Sequence, residues 1–195
     1  MSGEVAVRLA RKAVDAEAAG KSLLGKEIPA GMESPKGVFV TLKTYPEGRL
    51  RGCIGYPEPV LPQGEAIIAS AVSATSKDPR FSPVSVRETD SITVEVTILT
   101  VPETIDSPKS ELPSRIVIGR DGLIISCRGR RGLLLPQVPE EWGWDQKEYL
   151  AQLSVKAGLS PDAWMRPDAE IQWFRGKVFT EETPRGNVVE VMSRT

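Results

Sequence analysis

Three features of the chain predict an α+β fold built on antiparallel sheet. Residues 91–100 alternate strictly. Ile92, Val94, Val96 and Ile98 lie on one side and Thr93, Glu95 and Thr97 on the other, as in a strand with one buried and one polar face. Turn signatures such as Tyr45-Pro46-Glu47-Gly48 and Gly119-Arg120-Asp121-Gly122 separate apolar runs, so neighbouring strands return as hairpins. Helical periodicity is confined to dispersed stretches and does not alternate with strands as it would in a doubly wound sheet.

The elements follow in order. Residues 2–19 read as a helix, with Ser2 as its cap, Val5, Leu9 and Ala13 recurring every fourth residue, and Gly20 as its stop. Glu4–Arg8 and Arg11–Asp15 are i,i+4 pairs that predict a solvated outer face. Glycines and prolines make residues 20–36 a loop. Residues 37–44 read as a strand with Val38, Val40 and Leu42 on one side, and a turn leads to a second strand at 49–55. Residues 64–76, rich in Ala and Ser, form a helix able to approach a sheet closely.

Asp78-Pro79-Arg80-Phe81-Ser82-Pro83 is a rigid loop, because its prolines fix φ and bar helix. Residues 102–114 read as a Pro/Ser linker and 115–135 as three short strands. Leu133 to Leu135 would form a buried strand ending at Pro136, with Gln137 beyond it. Asp145 and Glu148 cap a helix over 145–157 that stops at Gly158. Ser160-Pro161-Asp162 opens a short helical turn, and 169–180 reads as one long final strand. The four tryptophans, Trp142, Trp144, Trp164 and Trp173, are expected to pack internally.

Bulk properties narrow the function. The chain has 195 residues, 40% hydrophobic and 26% charged, as in an ordinary globular protein. A net charge of −1 gives no global field toward nucleic acid or an anionic membrane. No apolar run has transmembrane length, and the start lacks a basic-then-apolar leader, so a cytoplasmic location is expected. With no histidine, every His-dependent triad is excluded. Two separated cysteines fall short of a zinc site, so no metal is expected and no cofactor is assigned. Cys53 and Cys127 are expected as reduced thiols. Proline and arginine usage hints at a heat-adapted source.

The candidate site is Leu50-Arg51-Gly52-Cys53-Ile54-Gly55. In an extended strand Arg49, Arg51 and Cys53 share one face, while Leu50 and Ile54 claim the core. Arg51 and Cys53 would lie about 6.6 Å apart along the backbone. At an effective dielectric near 20 that separation is worth about 2.5 kcal/mol in favour of a thiolate. Cys53 is therefore the candidate catalytic nucleophile. Arg49, Arg51, Gly52, Gly55, Asp78 and Arg80 are candidate contacts to an anionic substrate. The competing reading makes Cys53 a small packed side chain, its glycines spacers, and Asp78–Arg80 an ion pair stiffening a turn. Arg128, Arg130 and Arg131 form the only basic cluster. Without interleaved aromatic residues they make a poor RNA platform, so nucleic acid is not the expected partner. Glu95 reads as an exposed strand carboxylate.

LRGCIG at 50–55, DPRFSPV at 78–84, VEVTILTVPETI at 94–105, IGRDGLII at 118–125 and LLLPQVPEEWGW at 133–144 together resemble the AMMECR-one family over about residues 5–182. The resemblance implies an α+β fold of two unequal lobes with a cleft between them, the larger lobe holding both termini. It also implies a working association with Memo-like and radical-SAM proteins. Three functional readings stand: binding or modification of a small anionic substrate in the inter-lobe cleft at LRGCIG, an adaptor module for those partners, or RNA binding through the Arg128, Arg130 and Arg131 hairpin tip, which the near-neutral net charge disfavours.

Overall fold

The computed structural model describes residues 3–23, 25 and 28–191. The Ser2 cap lies outside them. In chain order the elements are α1 (Gly3–Ala18), β1 (Val38–Thr44), β2 (Leu50–Tyr56), α2 (Gln63–Ser76), a 3-10 turn (Val86–Ser91), β3 (Ile92–Leu99) and β4 (Glu103–Thr104). A second 3-10 turn (Lys109–Glu111) runs into α3 (Leu112–Arg115). Then come β5 (Gly122–Cys127), β6 (Arg130–Leu134), α4 (Gln137–Trp142), α5 (Gln146–Lys156), a third 3-10 turn (Ala163–Met165), β7 (Glu170–Phe174), β8 (Gly176–Glu181) and β9 (Val188–Val191). The fold is α+β with antiparallel sheets and flanking helices. No helix among the described residues is long and apolar enough to cross a membrane.

The chain divides into two compact units. The first runs to Leu99 and resumes at Lys177; the second is the intervening stretch Thr100–Gly176.

The first unit is a five-stranded sheet in the order β2-β1-β3-β8-β9. β1 is antiparallel to both β2 and β3, with Val40 opposite Ile54 on one side and Val96 on the other. Val38, Val40, Leu42, Ile92, Val94 and Val96 are buried with apolar residues of α1 and α2. α1 buries Ala6, Val7, Leu9, Ala10, Ala13 and Val14, whereas Val5 is exposed. Arg11 departs from the sequence expectation. It is 5% exposed, so its face is not a solvated one. Its Nε donates to Glu181 Oε1 at 3.1 Å, and its terminal nitrogens donate to the Thr89 and Ile92 carbonyls. Glu181 also accepts the Val94 N–H, so this buried pair ties α1 to two strands.

The second unit is a four-stranded sheet in the order β4-β7-β5-β6. Leu123, Ile125 and Ile171 pack with Tyr149, Leu150 and Leu153 of α5. Asp145 caps α5, accepting the Glu148 N–H at 2.8 Å. The Tyr149 hydroxyl donates among the carbonyls of Asp121, Leu134 and Leu135, and burial raises its pKa.

The structure departs from several local expectations. Residues 102–114 are not a plain linker, since they contain β4 and α3. Residues 115–135 hold two strands, not three. Residues 117–121 are a turn closed on the Asp121 carboxylate, which accepts the Val117 N–H and the Arg120 and Arg175 guanidiniums. Leu133 to Leu135 are half-buried, and Gln137 starts α4. The single strand over 169–180 is broken at Arg175. That residue exchanges backbone-directed hydrogen bonds with Thr100 and sends its side chain to Asp121, so β7 and β8 join different sheets. β9, which pairs antiparallel with β8, went unread in the sequence.

Candidate functional site

β2 is an edge strand, and an edge exposes backbone groups that seek partners. At Cys53 these partners are side chains. The Asp78 carboxylate accepts the Cys53 N–H at 2.9 Å, and Arg80 Nη2 donates to the Cys53 carbonyl at 3.1 Å. Asp78 and Arg80 are joined by two further bonds, 2.9 and 2.7 Å long, in a bidentate pair. The Asp78 side chain is 2% exposed. The Arg80 guanidinium, with help from the Cys53 and Arg80 backbone N–H groups, holds its carboxyl far below the usual aspartate range. Arg80 is raised in turn by Asp78. The DPRF loop can do this because α2 ends at Ser76 and Pro79 stiffens the chain just beyond it.

Arg51 sits at a bulge. Leu42 faces Gly52 while Lys43 faces Leu50, so Arg51 is the extra residue. The bulge breaks the alternation assumed from sequence and moves Leu50 off the core face. Leu50 is 43% exposed, against its expected place inside, while Ile54 packs on the core as expected. Arg51 is largely covered. Its Nε donates to Glu88 Oε1 at 3.1 Å, and its guanidinium lies 5.9 Å from the Phe81 ring centre. Arg80 lies 5.5 Å from the same ring. Arg51 Nη1 is buried and has no hydrogen-bond partner among the described residues.

Cys53 is a free, half-exposed thiol directly opposite Thr41, whose hydroxyl donates to its sulfur at 3.3 Å. Beside this pair, Lys43 and Glu95 form an ion pair at 2.7 Å. Cys53, Arg51, Asp78 and Arg80 are thus gathered on one edge of one unit. Arg49 is exposed at the head of β2 and uses its backbone to close the turn on Thr44. Gly52 and Gly55 are close-approach positions. A Cβ at Gly52 would stand 2.3 Å from the Ala74 carbonyl oxygen, and one at Gly55 would stand 2.3 Å from that of Val38. Glu88, Thr41 and Phe81 were missed in the sequence reading. The DPRF motif signalled Phe81, but nothing local signalled the other two.

The other candidates lie in the second unit. Arg128 pairs with Asp168 at 2.9 Å, and Arg130 donates to the Gly158 carbonyl. Cys127 is a free, buried thiol. Trp164 is buried as expected, but Trp142 is 70% exposed. No group of metal-ligating side chains occurs among the described residues.

An edge strand clamped by a proline-stiffened DPRF loop, within an α+β protein of two units, defines the class to which the chain belongs. The AMMECR1 family profile matches residues 7–179, and the chain is a member of that family. It is 52% identical over 190 residues to the protein MJ0810 of Methanocaldococcus jannaschii, covering 96% of this chain and 94% of that one. Identity to TK0174 of Thermococcus kodakarensis is 48%, over 95% and 93% of the two chains. The crystal structure of PH0010 from Pyrococcus horikoshii superposes with a TM-score of 0.77 at 46% identity, covering 97% of this chain and 96% of that one. These relatives are archaeal and come from thermophiles, in line with the arginine-rich composition.

Proposed function

We propose that the chain binds a small anionic ligand at the β2 edge. Arg51 is the anchor, Arg80 and Arg49 are secondary cations, and Cys53 is the contacting group. The unpartnered, buried Nη1 of Arg51 carries this reading. Buried donors in folded proteins almost always have an acceptor, and a ligand oxygen would supply one here. Asp78 acts through Arg80, fixing its guanidinium and the Cys53 peptide. Gly52 and Gly55 let the strand lie close enough to its neighbours to hold that geometry. If chemistry follows binding, the sulfur of Cys53 is the nucleophile that this arrangement offers.

The test is a thermal-shift screen of phosphorylated and carboxylated metabolites, with inorganic phosphate as reference, combined with iodoacetamide labelling of Cys53. A true ligand raises apparent stability with concentration and slows labelling. Arg51→Met should weaken it roughly tenfold or more, because a charge-assisted hydrogen bond is lost. If no anion shifts the transition at millimolar concentration and labelling is no faster than for free cysteine, the reading fails.

An adaptor role for Memo-like and radical-SAM partners is the second reading. It draws on the fact that Asp78, Arg80 and Gly52 all have structural duties at this edge. Copurification undisturbed by Cys53→Ser would favour it.

A further inference from the structure

The second unit carries an aromatic surface that the anion-binding proposal does not use. α4 ends at Gly143, whose φ of 66° turns the chain sharply and brings Trp142 and Trp144 together. Their ring centres are 6.0 Å apart with planes 18° from parallel, an offset stack. Trp142 nevertheless remains 70% exposed. A tryptophan face this open, held by a second indole, is preorganised to receive something.

Two observations indicate what it receives. First, other aromatic rings in this fold carry guanidiniums: Arg175 lies 5.4 Å from the Trp173 ring, and Arg51 and Arg80 both lie near Phe81. Among the described residues, no cation lies over Trp142 or Trp144. Second, residues 137–148 carry Glu140, Glu141, Asp145 and Glu148 against the single cation Lys147, and all four carboxylate residues are exposed. Tryptophan is the strongest cation–π acceptor, and exposed carboxylates on the same segment add attraction for the same charge.

We propose that the Trp142–Trp144 stack, with Glu140 and Glu141, is a docking platform for an arginine-bearing peptide segment of a partner protein. The guanidinium stacks on the open face of Trp142 and the carboxylates hold neighbouring basic residues. This site is independent of the Cys53 edge.

The experiment follows the four tryptophan indole N–H resonances of the ¹⁵N-labelled full chain during titration with a blocked Gly-Arg-Gly-Arg-Gly peptide. A glutamine-for-arginine peptide and a neutral oligosaccharide serve as comparators. The Trp142 and Trp144 signals should move with the arginine peptide, and those of Trp164 and Trp173 should not. Trp142→Ala should abolish the response. Glu140→Gln combined with Glu141→Gln, which keeps the platform, should weaken binding at least threefold. The proposal is overturned if the arginine peptide produces no shift at millimolar concentration. It is equally overturned if the glutamine peptide or the oligosaccharide shifts the same two signals as strongly, or if the paired Gln variant binds as well as the parent.

Discussion

Asp78 accepts hydrogen bonds from the Cys53 and Arg80 backbones and from the Arg80 guanidinium while almost fully buried. Replacing it with Asn keeps the shape but puts an amide N–H₂ against donors. Hydrogen bonds to charged groups are worth about 1.5–3 kcal/mol, and Arg80 is half-exposed, so we expect Asp78→Asn to cost about 2 kcal/mol. The folded-state pKa of Asp78 lies below the 3.8 of an ordinary aspartate. Its stabilisation is therefore fully present above that value and drains away as pH falls below it. Urea midpoints for parent and variant should differ fully above about pH 4 and by progressively less below it, with part of the gap remaining at pH 2 because the folded-state pKa lies far below the ordinary value. A gap that does not narrow at all between pH 5 and pH 2 would contradict this. Arg11 makes a sharper case. Arg11→Met strands the Glu181 carboxylate in the core, and breaking such a pair costs about 3–5 kcal/mol. The variant should show a collapsed melting temperature, with part of the loss restored by adding Glu181→Gln. From sequence, Arg11 and Asp15 looked like a surface pair. The distant partner, in a strand near the other end of the chain, left no local trace.

At the scale of elements, β2 is shaped by what it must pass. Gly52 lies under the backbone of α2, where even a methyl group would collide with the Ala74 carbonyl. Gly52→Ala should therefore cost about 1–3 kcal/mol through forced displacement. Gly48→Ala, at φ +68° with open space around it, should cost only about 1 kcal/mol from left-handed strain. Denaturant midpoints of the two variants would settle the ranking, and equal losses would refute the packing argument. The core face of β3 was legible because one alternating side meets a core, but its polar face was misjudged. Glu95, expected as an exposed carboxylate, has a side chain only 15% exposed and pairs with Lys43, and Thr93 is buried. The α2 helix and the Asp145 cap were equally plain, since each signal is local. The bulge at Arg51 was not legible: one extra residue changes which side chains face inward without changing composition. The break at Arg175 was hidden for a related reason, since its cause is a carboxylate more than fifty residues away. The candidate site was half readable. LRGCIG and DPRF were visible, but not that Asp78 and Arg80 grip the Cys53 peptide itself.

The whole molecule is organised as one unit interrupted by another. β3 and β8 are neighbours in the first sheet, yet the entire second unit separates them in sequence. The ends of the insertion are close, since the Thr100 N–H donates to the Arg175 carbonyl at 2.8 Å. Each unit also has its own apolar cluster. Removing residues 101–174 and joining Thr100 to Arg175 through a short Gly-Asn-Gly turn therefore leaves the five-stranded sheet, α1 and α2 with every buried contact of their own cluster. All four tryptophans lie in the excised stretch, so the shortened chain is silent in tryptophan fluorescence and is followed by circular dichroism. It should unfold cooperatively. Cys53 should react with iodoacetamide at the rate it shows in the full chain, because Thr41, Asp78 and Arg80 all remain. In the intact protein, tryptophan fluorescence should report the second unit alone, while helix dichroism reports both. A shortened chain that melts without a cooperative transition, or whose Cys53 reacts like an unfolded thiol, would show that the first sheet needs the insertion to stand.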